Sequence, residues 1–315
     1  NSYVWKTASE LQFGDKLIAP SVAIDGTLQS MPSFSYTKPK NSTTCKDIVI
    51  PELDEDMAWL LGLLHGDGFV GKNEVTIPIN GEQVEIGVRA KKQLERFGVN
   101  VGLTEYENYF VLRVKSKQLA TYFGEWLKTP KSTIFIPEFI WKSNYDIKIA
   151  YVSGVMDADG SIKSRPINVV TTIYEDFAKQ IQLLLSSCGI QSRIKRLSES
   201  NLQENWRPKF AVNLINNASK LAFLESPKLF KNEFAISKSE QRTNTFDGVV
   251  WSQTDSPFIP VTFIRLEDVA EESETWDLEV KGAHEFFAQG YLVHNSAMIA
   301  IFDKDDKLML DAKSY

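Results

Sequence analysis

Two nine-residue stretches decide the fold: Leu-Leu-Gly-Leu-Leu-His-Gly-Asp-Gly at 60–68 and Val-Ser-Gly-Val-Met-Asp-Ala-Asp-Gly at 152–160. Each has the composition of an apolar helix with small residues four positions apart: Gly62 and Gly66, then Gly154 and Ala158. Residues four apart share one helix face, so each copy offers a smooth stripe that a second backbone can approach closely. We therefore predict that the two helices pack along these stripes.

Both copies end in Asp-Gly, which places a carboxylate, Asp67 or Asp159, at a helix C-terminus. That end carries the negative pole of the helix dipole, so a carboxylate there is unfavourable unless a cation lies nearby. Packing the helices would bring both carboxylates together, and hard oxygen ligands suit a divalent cation. The pattern indicates metal-assisted phosphodiester chemistry. The alternative is a pair of buried helices with ordinary Asp-Gly caps.

The flanking sequence is repeated as well, which is typical of a duplicated structure. Arg-Phe-Gly-Val-Asn at 96–100 parallels Ser-Cys-Gly-Ile-Gln at 187–191, and a strand-like stretch follows each of them. Helix-like runs then start near Lys117 and Ser219. The order helix, strand, helix, hairpin, helix therefore occurs twice.

The paired stretches resemble the motifs of the LAGLIDADG homing endonucleases. The second copy matches that nonapeptide at its glycines and acidic residues, whereas His65 stands where the first copy would have its first acid. The resemblance implies an α+β fold, a duplicated αββαββα-type endonuclease with two antiparallel β-saddles over DNA, active as a monomer. It also implies a site for Mg²⁺ or Mn²⁺ formed by Asp67, Asp159, Gly66 and Ala158.

The family also has a basic residue, usually a lysine, near the scissile phosphate in each half. Here Ile134 occupies the usual lysine position three residues before Pro137, and Lys131 lies one helical turn earlier. In the second half, Lys231 and Lys238 are both candidates by their distance from the second motif. The resemblance thus implies catalytic roles for these three lysines, and the alternative for each is a plain surface residue.

Basic residues concentrate in the two repeats although the net charge of the chain is −6. Lys and Arg outnumber Asp and Glu in residues 86–148 and 161–245, whereas 246–315 is acidic. Phosphate neutralisation needs only a local basic surface, and a two-stranded ribbon can read base edges in the major groove. The candidate DNA contacts are Arg89, Arg113, Lys115, Arg165, Arg193, Lys195, Arg196, Arg207 and Lys209.

A second signature lies at residues 275–296, where alternating apolar residues and glycine turns predict two short strands before His-Asn-Ser. An Asn amide can attack its own carbonyl and break the next peptide bond, assisted by His, and Ser offers a nucleophile. The stretch resembles the C-terminal splicing blocks of inteins. The resemblance implies that Asn295 cyclises with help from His294 and His284, that Asp277 mediates proton transfer, and that Ser296 begins the host protein.

This resemblance divides the chain into four parts. Residues 1–45 would belong to an all-β Hint (hedgehog/intein) splicing domain and a connection. Residues 46–245 would be the inserted endonuclease, with halves of about 46–148 and 149–245. The splicing domain would resume at 246–295, and 296–315 would be host protein, faintly similar to ribonucleotide reductase. A Thr-x-x-His motif and a junction nucleophile are missing from the start, so we expect the N-terminal splicing segment to be absent from this chain.

Composition and context complete the expectations. No apolar run reaches the roughly 18–20 residues of a membrane span, and two cysteines in unlike contexts provide no disulfide framework, which favours the cytoplasm. The expected partners are double-stranded DNA with a long asymmetric site, the host-protein exteins and a separate N-terminal intein fragment. One alternative is a splicing remnant whose decayed endonuclease only binds DNA or is structural. Another is a maturase-like RNA-binding protein.

Overall fold

Two units make up the chain in a computed structural model, residues Asn1–Ala23 with Gly248–Tyr315, and residues Ile24–Asp247. The fold is mixed α and β with antiparallel sheets, as predicted. None of the described helices is long and apolar enough to cross a membrane. The structure describes residues 3–20, 23–37, 47–127, 134–162, 164, 166–197, 208–215, 258–263, 280, 284–294 and 298–302.

In chain order, the described elements are β1 (Tyr3–Thr7), β2 (Lys16–Pro20), α1 (Glu55–Gly66), β3 (Phe69–Val70), β4 (Val75–Asn80), α2 (Val84–Glu95), β5 (Gly102–Glu105), β6 (Tyr109–Val114), α3 (Lys117–Trp126), α4 (Glu138–Trp141), α5 (Tyr145–Asp159), β7 (Asn168–Thr172), α6 (Glu175–Ser187), β8 (Ser192–Leu197), β9 (Lys209–Leu214), β10 (Phe258–Thr262), β11 (Glu285–Ala288), β12 (Tyr291–His294) and β13 (Met298–Phe302).

The larger unit contains the predicted duplication. Its first half has the order α1, β3, β4, α2, β5, β6, α3, with the sheet order β3-β4-β6-β5. The second half repeats it with α5, β7, α6, β8 and β9, and its sheet order β7-β9-β8 parallels β4-β6-β5. An isolated bridge between Ser161 and Asn168 takes the place of the β3–β4 pairing. The closing helix predicted near Ser219 lies outside the described residues.

The motif helices α1 and α5 are central because they are apolar on all sides. Every residue from Met57 to His65 is buried, and so is every residue from Ile147 to Asp157. Helices with apolar residues all round belong in a core, whereas α2, α3 and α6 bury one face only. The Asp54 side chain caps the start of α1 by accepting from the Met57 N–H at 2.8 Å.

Residues 24–36 form a strap that contains no helix or strand and packs onto the larger unit. The Ile24 N–H donates to the Ser187 carbonyl at 2.7 Å, and the Gly26 N–H donates to the Ser143 carbonyl at 3.0 Å. The ammonium of the buried Lys148 donates back to the Ile24 carbonyl at 2.6 Å. The strap is therefore an integral part of this unit, and Met31 within it joins the main hydrophobic core.

We expect Met31→Ala to lower the free energy of unfolding of the larger unit by about 2–4 kcal/mol, because it leaves a cavity in the main core. Met31 is only 7% exposed. The matched control is Ile24→Ala at the exposed start of the strap, where we expect a loss below about 1 kcal/mol. Urea denaturation measures both. Equal, small effects would mean that the strap does not contribute to the core.

The described residues of the smaller unit form one antiparallel sheet of six strands. Its order is β10-β2-β13-β12-β11, and β1 also pairs with β13. The segment predicted to be host protein therefore contributes β13 to the middle of this sheet, where Ile301 lies opposite Leu17 and Val293 lies opposite Ile299. All five residues of this strand are apolar, and its two isoleucines and its phenylalanine have high β-propensity.

Candidate active site

The motif helices cross at their glycines, as the sequence predicts. A Cβ atom on Gly62 would overlap the carbonyl oxygen of Tyr151, and a Cβ on Gly154 would overlap the carbonyl oxygen of Trp59. The two contacts are equivalent, because Trp59 and Tyr151 occupy the same position relative to the two motifs. Only glycine allows backbones to approach so closely, so α1 and α5 are held together by reciprocal backbone contact.

The crossing brings the two motif carboxylates to one end of the helix pair. Asp67 is the C-terminal cap of α1, and its N–H donates to the Leu63 carbonyl at 3.0 Å. Asp159 is the last residue of α5. A Cβ on Gly66 would lie 3.3 Å from Oδ2 of Asp159, so that carboxylate lies against the residue that precedes Asp67. Asp67 is half-buried and Asp159 is exposed.

These donors fit a hard divalent cation. Both carboxylates lie at negative helix ends, where a cation offsets the unfavourable charge. The described residues contain no group of three or more His, Cys, Asp or Glu side chains placed to hold a metal. Magnesium suits a site formed by only two carboxylates, since it is usually bound by one or two carboxylates together with waters and substrate phosphates. Gly66 and Ala158 lie beside the carboxylates, and a metal role for either stays a prediction.

The three candidate lysines, Lys131, Lys231 and Lys238, lie outside the described residues. The position that usually holds a lysine is described, and Ile134 there is a core residue only 5% exposed. Its neighbour Ile136 is also buried, and the Ile136 N–H donates to Oε1 of Gln180 at 2.7 Å. Residue 134 therefore contributes to packing in this chain.

Two buried hydrogen bonds between the motif helices were not predicted. The Trp59 indole N–H donates to Oδ2 of Asp157 at 2.8 Å, and the Tyr151 hydroxyl lies 2.8 Å from Nδ1 of His65. Burial raises the pKa of Tyr151 well above its ordinary value, so its hydroxyl keeps its proton. The signal for these pairs was in the sequence, because Trp59 and His65 are spaced as Tyr151 and Asp157 are.

The outer face of the second sheet carries a row of exposed basic side chains. Arg193 and Lys195 alternate along β8 opposite Asn213 and Ala211 of β9, and both are exposed. Lys209 at the start of β9 is exposed too. Arg196 is exposed, but alternation along the strand directs it to the opposite face from Arg193 and Lys195. This sheet is the stronger candidate for contact with phosphates.

The first sheet is less basic. The Arg113 guanidinium on β6 forms a 3.0 Å ion pair with Glu74, which offsets its charge. Lys115, just after β6, is exposed. Arg165 and Arg207 lie outside the described residues.

Arg89 differs from the expectation that it projects from a sheet. It lies on α2, pairs with Asp56 at 2.6 Å, and stacks its guanidinium 4.2 Å from the centre of the Trp59 ring. Its side chain is only 12% exposed. Because both its charge and its planar face are engaged within the fold, we assign Arg89 to helix packing instead of DNA contact.

Two of the predicted splicing residues are described, and they lie close together in the smaller unit. His294 ends β12, and its ring centre lies 6.1 Å from that of His284 and 5.2 Å from that of Trp5. His284 adopts a left-handed backbone conformation with φ of 56°, which is uncommon for a residue with a side chain. Asp277, Asn295 and Ser296 lie outside the described residues.

The larger unit thus belongs to the class of duplicated α/β proteins whose halves join through a glycine-lined helix pair with an acid at each helix end. Residues 146–226 match the family described as the LAGLIDADG-like domain. Residues 146–226 therefore carry a LAGLIDADG-like domain, and the resemblance recognised from the paired motifs is confirmed.

Comparison with other proteins gives two distant kinds of relative. The chain is 25% identical over 255 residues to the DNA polymerase of Thermococcus hydrothermalis, a match that covers 75% of this chain and 15% of the polymerase. It is 25% identical over 197 residues to the glutamine–fructose-6-phosphate aminotransferase of Methanocaldococcus jannaschii, covering 59% of this chain and 17% of the aminotransferase. The chain therefore spans only a small part of the length of these relatives.

Among solved structures, the chain is similar to mesophilic variants of the homing endonuclease I-DmoI. The match has 18% identity and a TM-score of 0.43, and it covers 55% of this chain and 95% of that one.

Proposed function

We propose that this chain is a site-specific homing endonuclease that cuts both strands of DNA and is carried in an intein. The observation that carries the proposal is the convergence of Asp67 and Asp159 at the end of the glycine-lined helix crossing. Two carboxylates from two related halves give one acid to each half of a site. Since the two sheets carry different side chains, they would read different base edges, which suits a DNA target whose halves also differ.

The pattern of relatives supports the inserted character of the chain. The same sequence is similar to a small part of a DNA polymerase and to a small part of an aminotransferase. Those two proteins have unrelated activities, which favours a segment that is carried independently of either activity. A segment of this kind is expected of an intein that has entered different host proteins.

The proposed reaction assigns distinct tasks to the residues of the chain. Asp67 and Asp159 would hold Mg²⁺ or Mn²⁺, and when bound such an ion neutralises charge on the phosphate and lowers the pKa of a water. The helix crossing holds both carboxylates in place before DNA arrives, which avoids reorganisation during the reaction. Basic side chains of the second sheet, such as Arg193 and Lys195, would bind phosphates and orient the duplex.

The test uses two supercoiled plasmids, one with the uninterrupted host coding sequence and one in which the sequence for this chain interrupts it. With Mg²⁺, we expect linear product from the first plasmid only, and none from either in EDTA. Specific binding to the first plasmid without cleavage would favour the decayed endonuclease. If the protein neither binds nor cuts the first plasmid, the proposal is contradicted. Preferential binding of intron RNA would favour the maturase-like alternative.

The double variant Arg193→Ala/Lys195→Ala tests the proposed phosphate contacts. We expect weaker binding to DNA of any sequence and a salt dependence of log K shallower by about 2, since each lost phosphate contact removes about 1. The matched control is Lys179→Ala in the same half, where the exposed lysine pairs with Glu175 on α6. Fluorescence anisotropy at several salt concentrations measures both. A slope equal to that of wild type would exclude β8 from the interface.

A second proposed function is the C-terminal half of protein splicing. The observation that favours it is the closeness of the His284 and His294 rings, directly before the Asn295–Ser296 bond. In this proposal His294 assists cyclisation of Asn295, and the Trp5 ring packed against His294 fixes its orientation. The N-terminal part of the Hint domain would come from a separate intein fragment.

With such a fragment supplied in trans, we expect slow release of residues 296–315. Mass spectrometry measures this release. Asn295→Ala should abolish the release, because alanine has no amide to attack the peptide carbonyl. His294→Ala should slow it by removing the proton donor. Release at the same bond from the Asn295→Ala variant would contradict the assignment.

A further inference from the structure

Two buried hydrogen bonds connect the motif helices on either side of their glycine crossing. One joins the Trp59 indole N–H of α1 to Oδ2 of Asp157 on α5, and the other joins the Tyr151 hydroxyl of α5 to Nδ1 of His65 on α1, both at 2.8 Å. All four residues are at most 1% exposed. The duplication relates the bonds, since Trp59 corresponds to Tyr151 and His65 to Asp157.

The members of each pair are chemically matched. An indole N–H can only donate, and it faces a carboxylate, which accepts. On the other side, Nε2 of His65 lies 3.2 Å from the Leu127 carbonyl, which can only accept, so Nε2 carries the hydrogen. In the neutral ring, Nδ1 is then an acceptor for the Tyr151 hydroxyl. The histidine therefore takes, in the first copy, the acceptor role that the acid of the motif takes in the second copy.

These hydrogen bonds fix the register of the two helices, which the glycine stripes alone do not. A smooth stripe lets two helices approach, but it permits them to slide and rotate against each other. Hydrogen bonds are directional and weaken steeply with distance and angle, so two of them on opposite sides of the crossing fix a single register. The bonded residues His65 and Asp157 each lie two positions before a motif carboxylate, Asp67 or Asp159. Any slip at the bonds therefore moves the carboxylates.

Neighbouring side chains hold both pairs from the outside. The Arg89 guanidinium covers the Trp59 ring at 4.2 Å and is itself paired with Asp56. On the other side, the Phe177 ring of α6 lies 5.7 Å from the His65 ring. Each hydrogen bond is thus packed in a fixed environment instead of exchanging with water.

We infer that Trp59, His65, Tyr151 and Asp157 are positioning residues that set the placement of the Asp67 and Asp159 carboxylates and thereby the affinity for the divalent cation. The inference rests on the proposed function, in which those carboxylates bind the ion. It gives His65, which stands in place of the first acid of the motif, a role in positioning.

The test compares two Tyr→Phe variants of the full chain, with Mn²⁺ alone as the probe. Tyr151→Phe removes the hydroxyl that bonds His65. Tyr122→Phe is the matched control, because Tyr122 is also fully buried and its hydroxyl donates to the Pro32 carbonyl at 2.9 Å, away from the motif helices. For each protein, Tm of the larger unit is measured in EDTA and against increasing MnCl₂. We expect both variants to have a lower Tm in EDTA, since each loses one buried hydrogen bond.

The Mn²⁺ dependence separates positioning from stability. For Tyr151→Phe, we expect the Mn²⁺ concentration needed for a given rise in Tm above the EDTA value to increase by about 10-fold or more, the size of effect seen when groups that orient metal ligands are removed. For Tyr122→Phe, we expect the wild-type concentration. Equal Mn²⁺ dependence in the two variants would overturn the inference.

Two aspartate variants complete the test. Asp159→Asn should lose the Mn²⁺-dependent rise, and if it keeps the wild-type rise, the proposed metal site itself is wrong. Asp157→Asn keeps an acceptor oxygen for the Trp59 N–H, so it should respond to Mn²⁺ at the wild-type concentration even if Tyr151→Phe fails to fold. Loss of the Mn²⁺ response in Asp157→Asn would make Asp157 a ligand and would overturn its assignment as a positioning residue.

Discussion

Replacing Asp67 or Asp159 by Asn is expected to lower the rate of DNA cleavage by at least about a thousandfold, since a bound ion supplies several kcal/mol of charge stabilisation. Asparagine keeps the shape of the side chain and one oxygen but removes the negative charge that holds the cation. Binding to DNA should be unchanged or tighter, because a negative charge beside the phosphates is removed. Plasmid cleavage and fluorescence anisotropy on the same DNA measure the two effects separately.

The matched control for these variants is Asp146→Asn, an exposed aspartate in the first turn of α5, at the end of the helix opposite Asp159. We expect this variant to cut at the wild-type rate. If the wild-type protein cuts DNA and either Asp67→Asn or Asp159→Asn cuts at the same rate, the two-carboxylate site is ruled out.

The second large effect concerns the helix crossing itself. Gly62→Ala or Gly154→Ala should each lower the free energy of unfolding by about 3 kcal/mol or more, because the new methyl group would overlap a backbone carbonyl of the facing helix. A backbone oxygen cannot move aside as a flexible side chain can. The gain of up to about 1 kcal/mol from the better helix propensity of alanine is too small to compensate. Since whole domains are stable by only about 5–15 kcal/mol, partial unfolding at 37 °C is expected.

Gly102→Ala is the control for the crossing. Gly102 begins the exposed strand β5, and a Cβ there would lie 3.5 Å from the Arg113 carbonyl oxygen, an ordinary contact. We expect its urea midpoint to stay close to that of wild type. If Gly62→Ala had the same midpoint, the close approach of α1 and α5 would be wrong.

The central elements of the fold could be predicted because their signals are local. Small residues four apart and a carboxylate at the end of each motif helix act within one or two helical turns of their own sequence. Because the sequence is duplicated, each of these local patterns occurs twice. The motif helices, their crossing at Gly62 and Gly154 and the two repeated sheets all follow from them.

The remaining features depend on partners distant in sequence. The strap is held partly by backbone hydrogen bonds, such as Gly26 to Ser143, and these need no side-chain pattern. Arg89 resembles any basic residue in the sequence, and only the fold brings Asp56 and the Trp59 ring to it. His65 departs from the motif without explanation until Tyr151, 86 residues away, is placed beside it.

The central claim is that Asp67 and Asp159 together hold a divalent ion, and anomalous diffraction from Mn²⁺-soaked crystals of the DNA-bound protein tests it most directly. We predict manganese in contact with a carboxylate oxygen of each aspartate, at about 2.1 Å if it follows magnesium-like geometry. Manganese bound elsewhere in the complex, with none at these two carboxylates, would contradict the account.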